Sequence, residues 1–500
     1  MYFLIIISMK KQKFIVVGGG TAGIIAATYI KTYWQDRIDV DLIYDHNRPG
    51  IGVGESLTPM IYHYLNYVGI STEDLIANVN ATIKIGLKFK NWHNDGTSYL
   101  HSFDEPNQTP SKMNWGPAHD IVNNQYDLDY TFGNFWYENA KIPKNPEGQN
   151  SVHIDATLFS KYVENKFKDK INIIDDIVED VITNDGEQID HLVLKKAGKV
   201  KGDFYIDATG FSATLFSKLK NEWIDKADWL PVNKCIPNPL PWEFEDKLPP
   251  YTIAEASDQG WILQVPLSNR WGTGYIYCDE FISEDQAFSN FEKFIQKNYN
   301  VPLNNTSRVL SFKSGYWKKQ WVGNCIAVGL SGGFAEPLEA TNIHHSVFQT
   351  LLFVDHYFDE VQNNDIDSYN QAMTDLYENI YLYIRFCYTT GRTDSEFWRY
   401  MTNNIPTRVK NLEEKISNSI LTEKSFPEIN KIFGHGNFTK IAYGLRKINK
   451  EKYKDILTNR QVLDNAKQES EYIANIKQQN ILNSIDHLEF INRIKNSAGR

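Results

Sequence analysis

The distribution of apolar residues near the start of the chain predicts a strand, a tight turn and a helix in immediate succession. Residues 14–17, Phe-Ile-Val-Val, form a short continuous apolar run that is typical of a buried parallel strand. The run leads through a glycine-rich turn at 18–23 into residues 24–30, whose apolar spacing favours a helix. A second apolar strand follows at 40–44. This order predicts the first βαβ unit of a nucleotide-binding α/β domain.

The turn between this strand and helix has the spacing of a dinucleotide-binding fingerprint, G-x-G-x-x-G. Its glycines permit the tight turn, the approach of a pyrophosphate and the close packing of helix on strand. The N–H groups and the dipole at the start of the helix favour an anion. The second strand ends at an acidic residue, which can hold a ribose hydroxyl. The residues expected to contact the dinucleotide are Gly18, Gly20, Thr21, Ala22, Gly23 and Asp45.

Later apolar runs indicate that this domain is built from separated parts of the chain. Residues 204–207 and 325–329 are predicted to be two more buried strands, each leading into a glycine-containing turn. Residues 231–312 have alternating strand patterns, and the chain beyond 360 has helical periodicity. We therefore predict an α/β fold with an inserted β-rich substrate domain and a helical C-terminal cap. The predicted segments are 9–91, 151–230 and 313–358 for the nucleotide-binding domain, 92–150 and 231–312 for the substrate-side insertions, and 359–500 for the C-terminal region.

Composition and charge exclude several classes of partner. The chain has 500 residues, of which 42% are hydrophobic, so it can bury a large core. Its formal net charge of −10 repels nucleic acid and anionic membrane surfaces, so we expect neither as a partner. Residues 1–8 are apolar but lack the basic leader of a signal peptide and the length of a membrane span. We expect them to be an unstructured extension, with Met9 as an alternative start.

The spacing of cysteines and histidines does not favour a metal centre. The four cysteines show no paired spacing, which argues against a disulfide scaffold, a redox pair or a zinc site. This cysteine usage favours a reducing cytoplasm as the location. His344 and His345 are adjacent on a predicted helix and therefore point apart, which favours packing over metal binding. We therefore expect no metal.

Several stretches along the chain together resemble one enzyme family. The stretches are 18–23, 51–55 with Pro59, 80–84 before 88–92, 260–266 before 272–275, and 336–341, and 392–398 also fits. Their order and spacing resemble those of the flavin-dependent halogenases of the tryptophan-halogenase family. The resemblance implies a Rossmann-type FAD-binding domain of the flavin monooxygenase kind, which uses FAD as FADH2. Because the chain has one dinucleotide fingerprint, we expect a separate flavin reductase to supply the FADH2.

The resemblance assigns the chemistry to a lysine and a glutamate. In the family, reduced FAD, O2 and a halide ion give hypohalous acid, which passes through a tunnel to a lysine beside the aromatic substrate. Lys84 matches that lysine, and Glu339 matches the family's essential glutamate. An ammonium group can hydrogen-bond hypohalous acid or react to a haloamine, and desolvation lowers the lysine pKa to the benefit of either role. The glutamate can hold the acid with Lys84 or act as a general base.

The resemblance also implies the residues around the cofactor, the halide and the substrate. Further cofactor contacts are expected from Val53, Gly54, Glu55, Asp207, Gly210, Gly329 and Leu338. The N–H groups of Thr341 and Asn342 are expected to bind the halide at a helix N-terminus. The residues expected to line the substrate site and the tunnel are His101, Phe103, Trp261 and Pro266.

The chain departs from the family pattern at three places. Ala340 and Asn342 replace the usual serine and glycine, which leaves the preference among chloride, bromide and iodide open and gives room for the larger bromide or iodide. Leu263 replaces the second tryptophan of Trp-x-Trp-x-Ile-Pro, and Val265 replaces its isoleucine, which reshapes the tunnel. Residues 433–438 stand where tryptophan-specific members carry an aromatic cluster, so free tryptophan is not the first substrate that we expect.

The sequence therefore predicts FAD-dependent halogenation of an indole, a phenol or a related electron-rich ring. The alternative enzyme is a flavin-dependent monooxygenase of the same fold, which hydroxylates an aromatic substrate and has no use for Lys84 or Glu339. A third alternative is a flavin-binding protein that has lost turnover. We also expect a homo-oligomer, although the charged helical tail after Lys447 can either pack between subunits or cover the core.

Overall fold

The structure is a computed structural model of the chain. Its described residues are 11–47, 54–103, 134–144, 150–242, 244, 246–304, 307–357, 363–419, 432–449, 451, 452, 455 and 458–498. The predicted extension at 1–8, the predicted cofactor residue Val53 and much of the predicted insertion at 92–150 lie outside them.

Strands and helices alternate through the first half of the described chain, and helices dominate after residue 341. The strands are β1 Gln12–Val17, β2 Ile38–Tyr44, β3 Glu55–Ser56, β4 Thr82–Lys84, β5 Gly86–Lys90, β6 Ser98–Ser102, β7 Lys141–Pro143, β8 Ser151–Ile154, β9 Asn172–Asp175, β10 Val178–Asn184, β11 Gln188–Leu194, β12 Gly198–Val200, β13 Phe204–Asp207, β14 Trp223–Asp225, β15 Lys234–Pro241, β16 Thr252–Ser257, β17 Gly260–Leu267, β18 Arg270–Tyr277, β19 Leu310–Ser311, β20 Gly315–Trp317, β21 Trp321–Val322, β22 Cys325–Ala327, β23 Gly333–Phe334 and β24 Ser484–Asp486.

The helices are α1 Thr21–Trp34, α2 Ile61–Val68, α3 Thr72–Asn78, α4 Asn134–Asn139, α5 Ala156–Phe167, α6 Glu284–Tyr299, α7 Thr341–Tyr357, α8 Asn363–Cys387, α9 Glu396–Asn403, α10 Thr407–Asn418, α11 His435–Gly444, α12 Arg460–Leu482 and α13 His487–Ala498. Short 3-10 turns lie at Gln35–Arg37, Gly210–Ser212, Phe216–Lys218, Gly329–Ser331 and Pro337–Glu339.

The first sheet has the order β21-β22-β13-β1-β2-β9. All of its neighbouring strands are parallel except the pair β21 and β22. Residues 14–16 of the central strand β1 are completely buried, as expected for a strand covered on both faces. Helix α1 packs against β2, α5 and α7. This arrangement confirms the predicted α/β class and puts the glycine turn that follows β1 in the middle of the sheet edge.

The second sheet has the order β19-β15-β18-β17-β16-β5-β6. Its pairs are antiparallel except for β16 and β5, which are parallel, with Thr252 opposite Leu87. The sequence places residues up to 91 in the nucleotide-binding domain, but the structure joins β5 to the second sheet. The reason is the long-range pairing of β5 with β16, for which the sequence near residue 88 has no local signal. The division into domains otherwise stays a prediction.

A small antiparallel sheet of β3, β8 and β4 lies between these parts of the fold and carries Lys84 at the end of β4. The C-terminal region is helical as its periodicity predicts, apart from β24, which pairs with β7. Helix α8 is buried along residues 380–387, consistent with a helix at the centre of the core. Among the described residues, no helix combines the length and apolarity that crossing a membrane requires.

Candidate active site

The turn after β1 has the shape of a phosphate cradle. Gly18 has φ of +121°, and a Cβ there would lie 2.2 Å from the carbonyl oxygen of Ala208. A Cβ at Gly23 would lie 1.8 Å from the carbonyl oxygen of Gly18. A Cβ at Gly20 would meet nothing within 4 Å, and no side chain caps the helix that Gly20 starts. The open space beside a helix N-terminus fits the diphosphate of a dinucleotide such as FAD.

The other predicted cofactor residues of the first sheet shape its edge. Asp207 is completely buried, and its carboxylate accepts four hydrogen bonds, from Thr209, Leu215 and Phe216. It therefore holds the turn after β13 and has its oxygens committed to the protein. The N–H of Gly210 donates to Ser331 Oγ at 3.1 Å, which ties this turn to the one at Gly329–Ser331.

Gly329 and Asp45 occupy two further points on this edge. Gly329 has φ of +67°, and a Cβ there would lie 2.8 Å from the Cβ of Ala22 and 2.9 Å from Ser346 Oγ. It therefore permits close packing against α1 and α7. Asp45 follows β2, and its Oδ1 accepts the N–H of Asn47 at 3.0 Å. Its contact with a ribose stays a prediction.

Gly54, the residue before β3, packs on the second sheet. A Cβ at Gly54 would lie 3.1 Å from the side chain of Leu267 and 3.4 Å from that of Val265. Successive side chains of a strand alternate between faces, so the completely buried Trp261 lies on this same face of β17. The tryptophan predicted to line the tunnel therefore lies on the sheet face toward Gly54. Burial raises the pKa of the neighbouring Glu55 to about 7.

A chain of hydrogen bonds runs from β3 to β4 and β17. Ser56 Oγ lies 2.7 Å from Thr252 Oγ1, which lies 2.9 Å from Nε2 of His153. The Nδ1 of His153 lies 2.9 Å from Thr82 Oγ1, which donates to the carbonyl oxygen of Pro266 at 2.5 Å. Because the single hydroxyl proton of Thr82 goes to Pro266, Nδ1 of His153 must be the donor. The predicted Pro266 thus anchors the strand that carries Lys84.

Lys84 is the buried cation of this region. Its side chain is 2% exposed, its Nζ donates to the carbonyl oxygen of Leu57 at 2.9 Å, and it lies 4.8 Å from the ring centre of Phe103. Burial lowers the pKa of Lys84 to about 7, against the attraction of Glu339, which raises it. Part of the population is therefore a neutral amine at neutral pH. Lys84 therefore lies against Phe103, and the charge of Glu339 is near enough to affect its pKa. The roles of these three residues stay predictions.

The backbone beside Lys84 is held by the C-terminal region. The N–H of Ile83 donates to Nε2 of His487 at 3.0 Å, and Nδ1 of His487 donates to the carbonyl oxygen of Leu248 at 2.9 Å. Burial lowers the pKa of His487 to about 4, so the ring is neutral, as these two bonds require. Helix α13 therefore supplies one hydrogen-bond partner to the backbone of β4, beside its pairing with β8.

Glu339 ends the 3-10 turn Pro337–Glu339, which begins with proline at its first position. Ala340 then takes a left-handed φ of +57° and leads into α7 at Thr341. The Glu339 side chain is 3% exposed, and both of its carboxylate oxygens lie 3.0 Å from Nδ1 of His101. His101 is 1% exposed. The predicted substrate residue His101 is thus a hydrogen-bond partner of the glutamate.

Three more side chains enclose Glu339 and His101. Tyr383 of α8 has its hydroxyl 3.4 Å from Oε1 of Glu339 and 3.2 Å from both ring nitrogens of His101. The ring of Phe433 stacks on Tyr383 at 3.7 Å, with an interplanar angle of 5°. The Nδ2 of Asn437 on α11 lies 3.1 Å from Nε2 of His101. Sequence reasoning missed Tyr383 and Asn437, and the only signal was the unmatched stretch at 433–438.

A second glutamate in the same turn has different surroundings. Glu336 is completely buried and accepts the hydroxyl proton of Tyr388 at 2.7 Å. Burial raises the pKa of Glu336 to about 8, so this carboxyl group is protonated at neutral pH. Leu338, predicted to contact the cofactor, lies between Glu336 and Glu339 in the sequence, and its side chain is buried. Residues 336–339 therefore carry one neutral carboxyl group and one that is hydrogen-bonded to a histidine.

The start of α7 is the predicted halide site. Thr341 is buried and Asn342 half-buried at the first turn of this 17-residue helix. The first N–H groups of a helix have no partner within it, which suits an anion.

The two adjacent histidines of α7 have separate partners. Nδ1 of His344 is hydrogen-bonded to Thr58 Oγ1 at 2.8 Å, and His345 packs on the ring of Tyr377. Within the described part of the chain, no group of three or more His, Cys, Asp or Glu side chains could hold a metal ion.

The sequences of known proteins match most of this chain. The chain is 28% identical over 426 residues to the 7-chloro-L-tryptophan 6-halogenase KtzR of Kutzneria sp. (strain 744), covering 77% of this chain and 81% of that protein. It is 26% identical over 430 residues to the tryptophan 7-halogenase RebH of Lentzea aerocolonigenes, covering 78% and 79%.

Solved structures share the fold. The tryptophan 6-halogenase SttH of Streptomyces toxytricini superposes with a TM-score of 0.86 at 23% identity, covering 98% of this chain and 100% of that one. A tryptophan halogenase of Shewanella frigidimarina gives 0.88 at 22%, covering 97% and 98%. The model of the tryptophan halogenase family matches residues 13–461. The chain therefore belongs to the tryptophan halogenase family of flavin-dependent enzymes.

Proposed function

We propose that this protein uses FADH2, O2 and a halide ion to halogenate an electron-rich aromatic ring, such as an indole or a phenol, through hypohalous acid delivered along a tunnel to Lys84. The observation that carries the proposal is the side chain of Lys84, which is buried against the ring of Phe103 and lies near enough to the buried carboxylate of Glu339 for that charge to raise its pKa. A pair of opposite, water-excluded charges is expensive to bury and is typical of a reaction site.

The cofactor region supports FAD as the source of the oxidising equivalents. When it is bound, reduced FAD with O2 supplies the oxidation that converts a halide ion into hypohalous acid. The cradle at Gly20 and the N-terminus of α1 would hold the diphosphate, and the first N–H groups of α7, at Thr341 and Asn342, would hold the halide. The described residues contain one glycine fingerprint of this kind, so a separate reductase supplies FADH2.

Lys84 orients and activates the hypohalous acid. Its ammonium group donates a hydrogen bond to the oxygen of HOX, which weakens the O–X bond and leaves the halogen electrophilic. As the ring carbon attacks the halogen, the O–X bond breaks and the oxygen takes a proton from Lys84 to leave as water. The apolar surroundings strengthen this donation, because no bulk water competes for the ammonium protons.

Glu339 completes the substitution as a general base. The substituted ring carbon loses its proton to the carboxylate, and the C–H electron pair restores the aromatic ring. The proton then returns from Glu339 to the neutral amine of Lys84, so HOX and the aromatic substrate give the halogenated product and water. The electrostatic coupling of the two side chains favours this return.

The side chains around Lys84 and Glu339 favour an aromatic substrate. Phe103 lies against the Lys84 ammonium, and Tyr383 with the stacked Phe433 lies over His101 and Glu339. The names of the relatives specify tryptophan or chlorotryptophan as substrates of those proteins. For this chain we propose the ring class rather than free tryptophan itself, with indoles and phenols as the first compounds to test.

The test is a reconstituted turnover. The purified protein is supplied with FAD, NADH, a flavin reductase from another source, O2 and bromide, together with simple indoles and phenols. We expect products that carry the bromine isotope pair in mass spectra, and parallel reactions with chloride and iodide give the halide preference. Hydroxylated products without halogen would contradict the proposal in favour of the monooxygenase alternative, and FAD binding without any product would favour a protein that has lost turnover.

A further inference from the structure

We propose that Asn437 is a positioning residue that fixes the proton of His101 on Nδ1, so that the ring donates to Glu339 and keeps Nε2 unprotonated. The inference rests on the proposed role of Glu339 as the base. It gives a function to residues 433–438, the stretch that differs from the aromatic cluster of tryptophan-specific relatives.

The orientation of the Asn437 amide is fixed by its own helix. Its Oδ1 accepts the N–H of Gly434 at 2.9 Å, at the start of α11. An N–H can only donate, so the atom that faces Gly434 must be the amide oxygen. The other end of the amide, Nδ2, therefore faces Nε2 of His101 at 3.1 Å and presents a hydrogen-bond donor to it.

The two nitrogens of His101 then have distinct roles. A donor facing Nε2 requires an unprotonated nitrogen there, with its lone pair accepting from Asn437. The proton of the neutral ring must lie on Nδ1, which is 3.0 Å from both carboxylate oxygens of Glu339. A second proton on Nε2 would place two donors against each other.

The anchoring of Asn437 makes this choice rigid. The side chain of Asn379 on α8 bonds both backbone groups of Phe433, accepting its N–H at 2.9 Å and donating to its carbonyl at 3.1 Å. Phe433 directly precedes Gly434, whose N–H fixes the Asn437 amide, so the start of α11 is bonded to α8. The bond from Lys440 to the carbonyl oxygen of Ser102 lies farther along the helix and does not contribute to the orientation of the Asn437 amide.

The chemical consequence concerns the strength of the base. A neutral imidazole gives Glu339 one oriented hydrogen bond and leaves its negative charge available for a ring proton. An imidazolium in the same place would pair with the carboxylate as a full charge and make it a weaker base. The other groups that face His101 are Tyr383, which can donate or accept, and Glu339 itself. Asn437 decides between the neutral and the doubly protonated ring of His101, because its N–H donor faces Nε2 and excludes a proton there.

The first experiment observes the ring directly in the intact protein without substrate. Protein labelled with ¹⁵N-histidine is examined at pH 7 by two-bond ¹H–¹⁵N correlation, and His101 is assigned as the signal set lost in His101→Gln. We expect one protonated nitrogen, Nδ1, and one unprotonated nitrogen, Nε2. In Asn437→Asp, whose carboxylate is an acceptor of the same shape, we expect both nitrogens to be protonated.

The second experiment connects this state to turnover. With the substrate that the reconstituted reaction identifies, Asn437→Asp should lower kcat by about 10- to 100-fold with little change in KM, the range typical for a partner that orients a reacting group. Lys440→Met is the matched control, because it loses a bond from the same helix to the same strand without contacting His101. It should leave the His101 signals unchanged.

Two results would overturn the inference. One is a protonated Nε2 in the unmodified protein, and the other is Asn437→Asp with a doubly protonated ring and an unchanged kcat. The spectra need no halogenation activity. If the protein halogenates nothing, the proposed function fails while the spectra still decide the state of His101.

Discussion

The glycine turn at 18–23 and the pair of Lys84 and Glu339 are built on opposite principles. The turn keeps its shape because residues 18 and 23 carry no side chain, since a Cβ there would strike a backbone oxygen. The pair, to which we assign the chemistry, consists of charged side chains from β4 and the 3-10 turn, and side chains from β6, α8 and α11 surround Glu339 and its partner His101. The first region is specified by six consecutive residues, and the second exists only in the folded chain.

This difference predicts which substitutions disrupt each region. The turn is limited by space, so an added methyl group disrupts it at residues 18 and 23 and is accommodated by the protein at residue 20. The pair is an electrostatic device in a buried place, where the pKa of Lys84 is already lowered to about 7. Substitutions that keep the size of a side chain but change its charge should abolish the proposed chemistry of the pair, whereas the turn should respond to added volume.

The largest effect is expected for Lys84→Met, which keeps the side-chain volume and removes the ammonium group. Halogenation should fall by at least about 10³-fold, because the donation to the oxygen of HOX is lost from a water-excluded site. FAD binding, followed by the absorbance of the bound flavin, should be retained. The matched control is Lys88→Met on β5, whose Nζ also lies over an aromatic ring, that of Tyr251. Full product yield from Lys84→Met would remove the assigned role.

The next effect is expected for Glu339→Gln. Glutamine keeps an acceptor for Nδ1 of His101 but cannot take the ring proton, so single-turnover product formation should slow by about 10²- to 10⁴-fold. Glu336→Gln is the control from the same turn. Since burial raises the pKa of Glu336 to about 8, its carboxyl group is already neutral at pH 7, and an amide replaces it with little change. Equal rates for the two variants would contradict the distinction.

The glycine turn is tested by Gly18→Ala and Gly20→Ala. Gly18→Ala puts a Cβ against Ala208 at a φ of +121° and should destabilise the protein by about 1–3 kcal/mol or more, with loss of FAD affinity. Gly20→Ala fits its own φ of −74° and should leave the melting temperature of the FAD-free protein unchanged. Gly20→Ala should weaken FAD binding, measured by fluorescence titration, because the new methyl group enters the space proposed for the diphosphate. Unchanged affinity would place the diphosphate elsewhere.

The last prediction concerns stability rather than turnover. Burial lowers the pKa of Lys84 from 10.5 to about 7, so between these values the unfolded chain binds more protons than the folded one, and stability rises with pH. Lys84→Met removes this cost and should stabilise the protein by about 4 kcal/mol at pH 7, with the gain vanishing near pH 10.5. Denaturant unfolding at pH 7 and pH 10 measures it. Equal stabilities at pH 7 would show that Lys84 is not desolvated.

The sequence predicts the steric region better than the electrostatic one for a physical reason. The strand, turn and helix at 14–30 are contiguous, so their periodicity and glycine spacing are visible in one short window. Lys84 and Glu339 were predicted only through the resemblance of flanking residues to a family. Tyr383 and Asn437 could not be predicted, because they reach His101 through the packing of α8 and α11 across 282 and 336 positions of sequence.

The same limit applies to the fold. The β5 strand has the apolar pattern of any short strand, and only its register with β16 places it in the second sheet. Trp261 was predicted to line a tunnel, and the structure places it completely buried on the sheet face toward Gly54. Long-range pairing and packing therefore decide what local pattern leaves open.

The bond between the N–H of Ile83 and the ring of His487 has a consequence for protein synthesis. The glycine turn can fold soon after its strands leave the ribosome, since chains fold from the N-terminus as they emerge. The strand that presents Lys84 gains the hydrogen bond at Ile83 only after residue 487 has been translated, 404 positions later. A nascent chain can thus form the glycine turn well before the backbone beside Lys84 has its last hydrogen-bond partner.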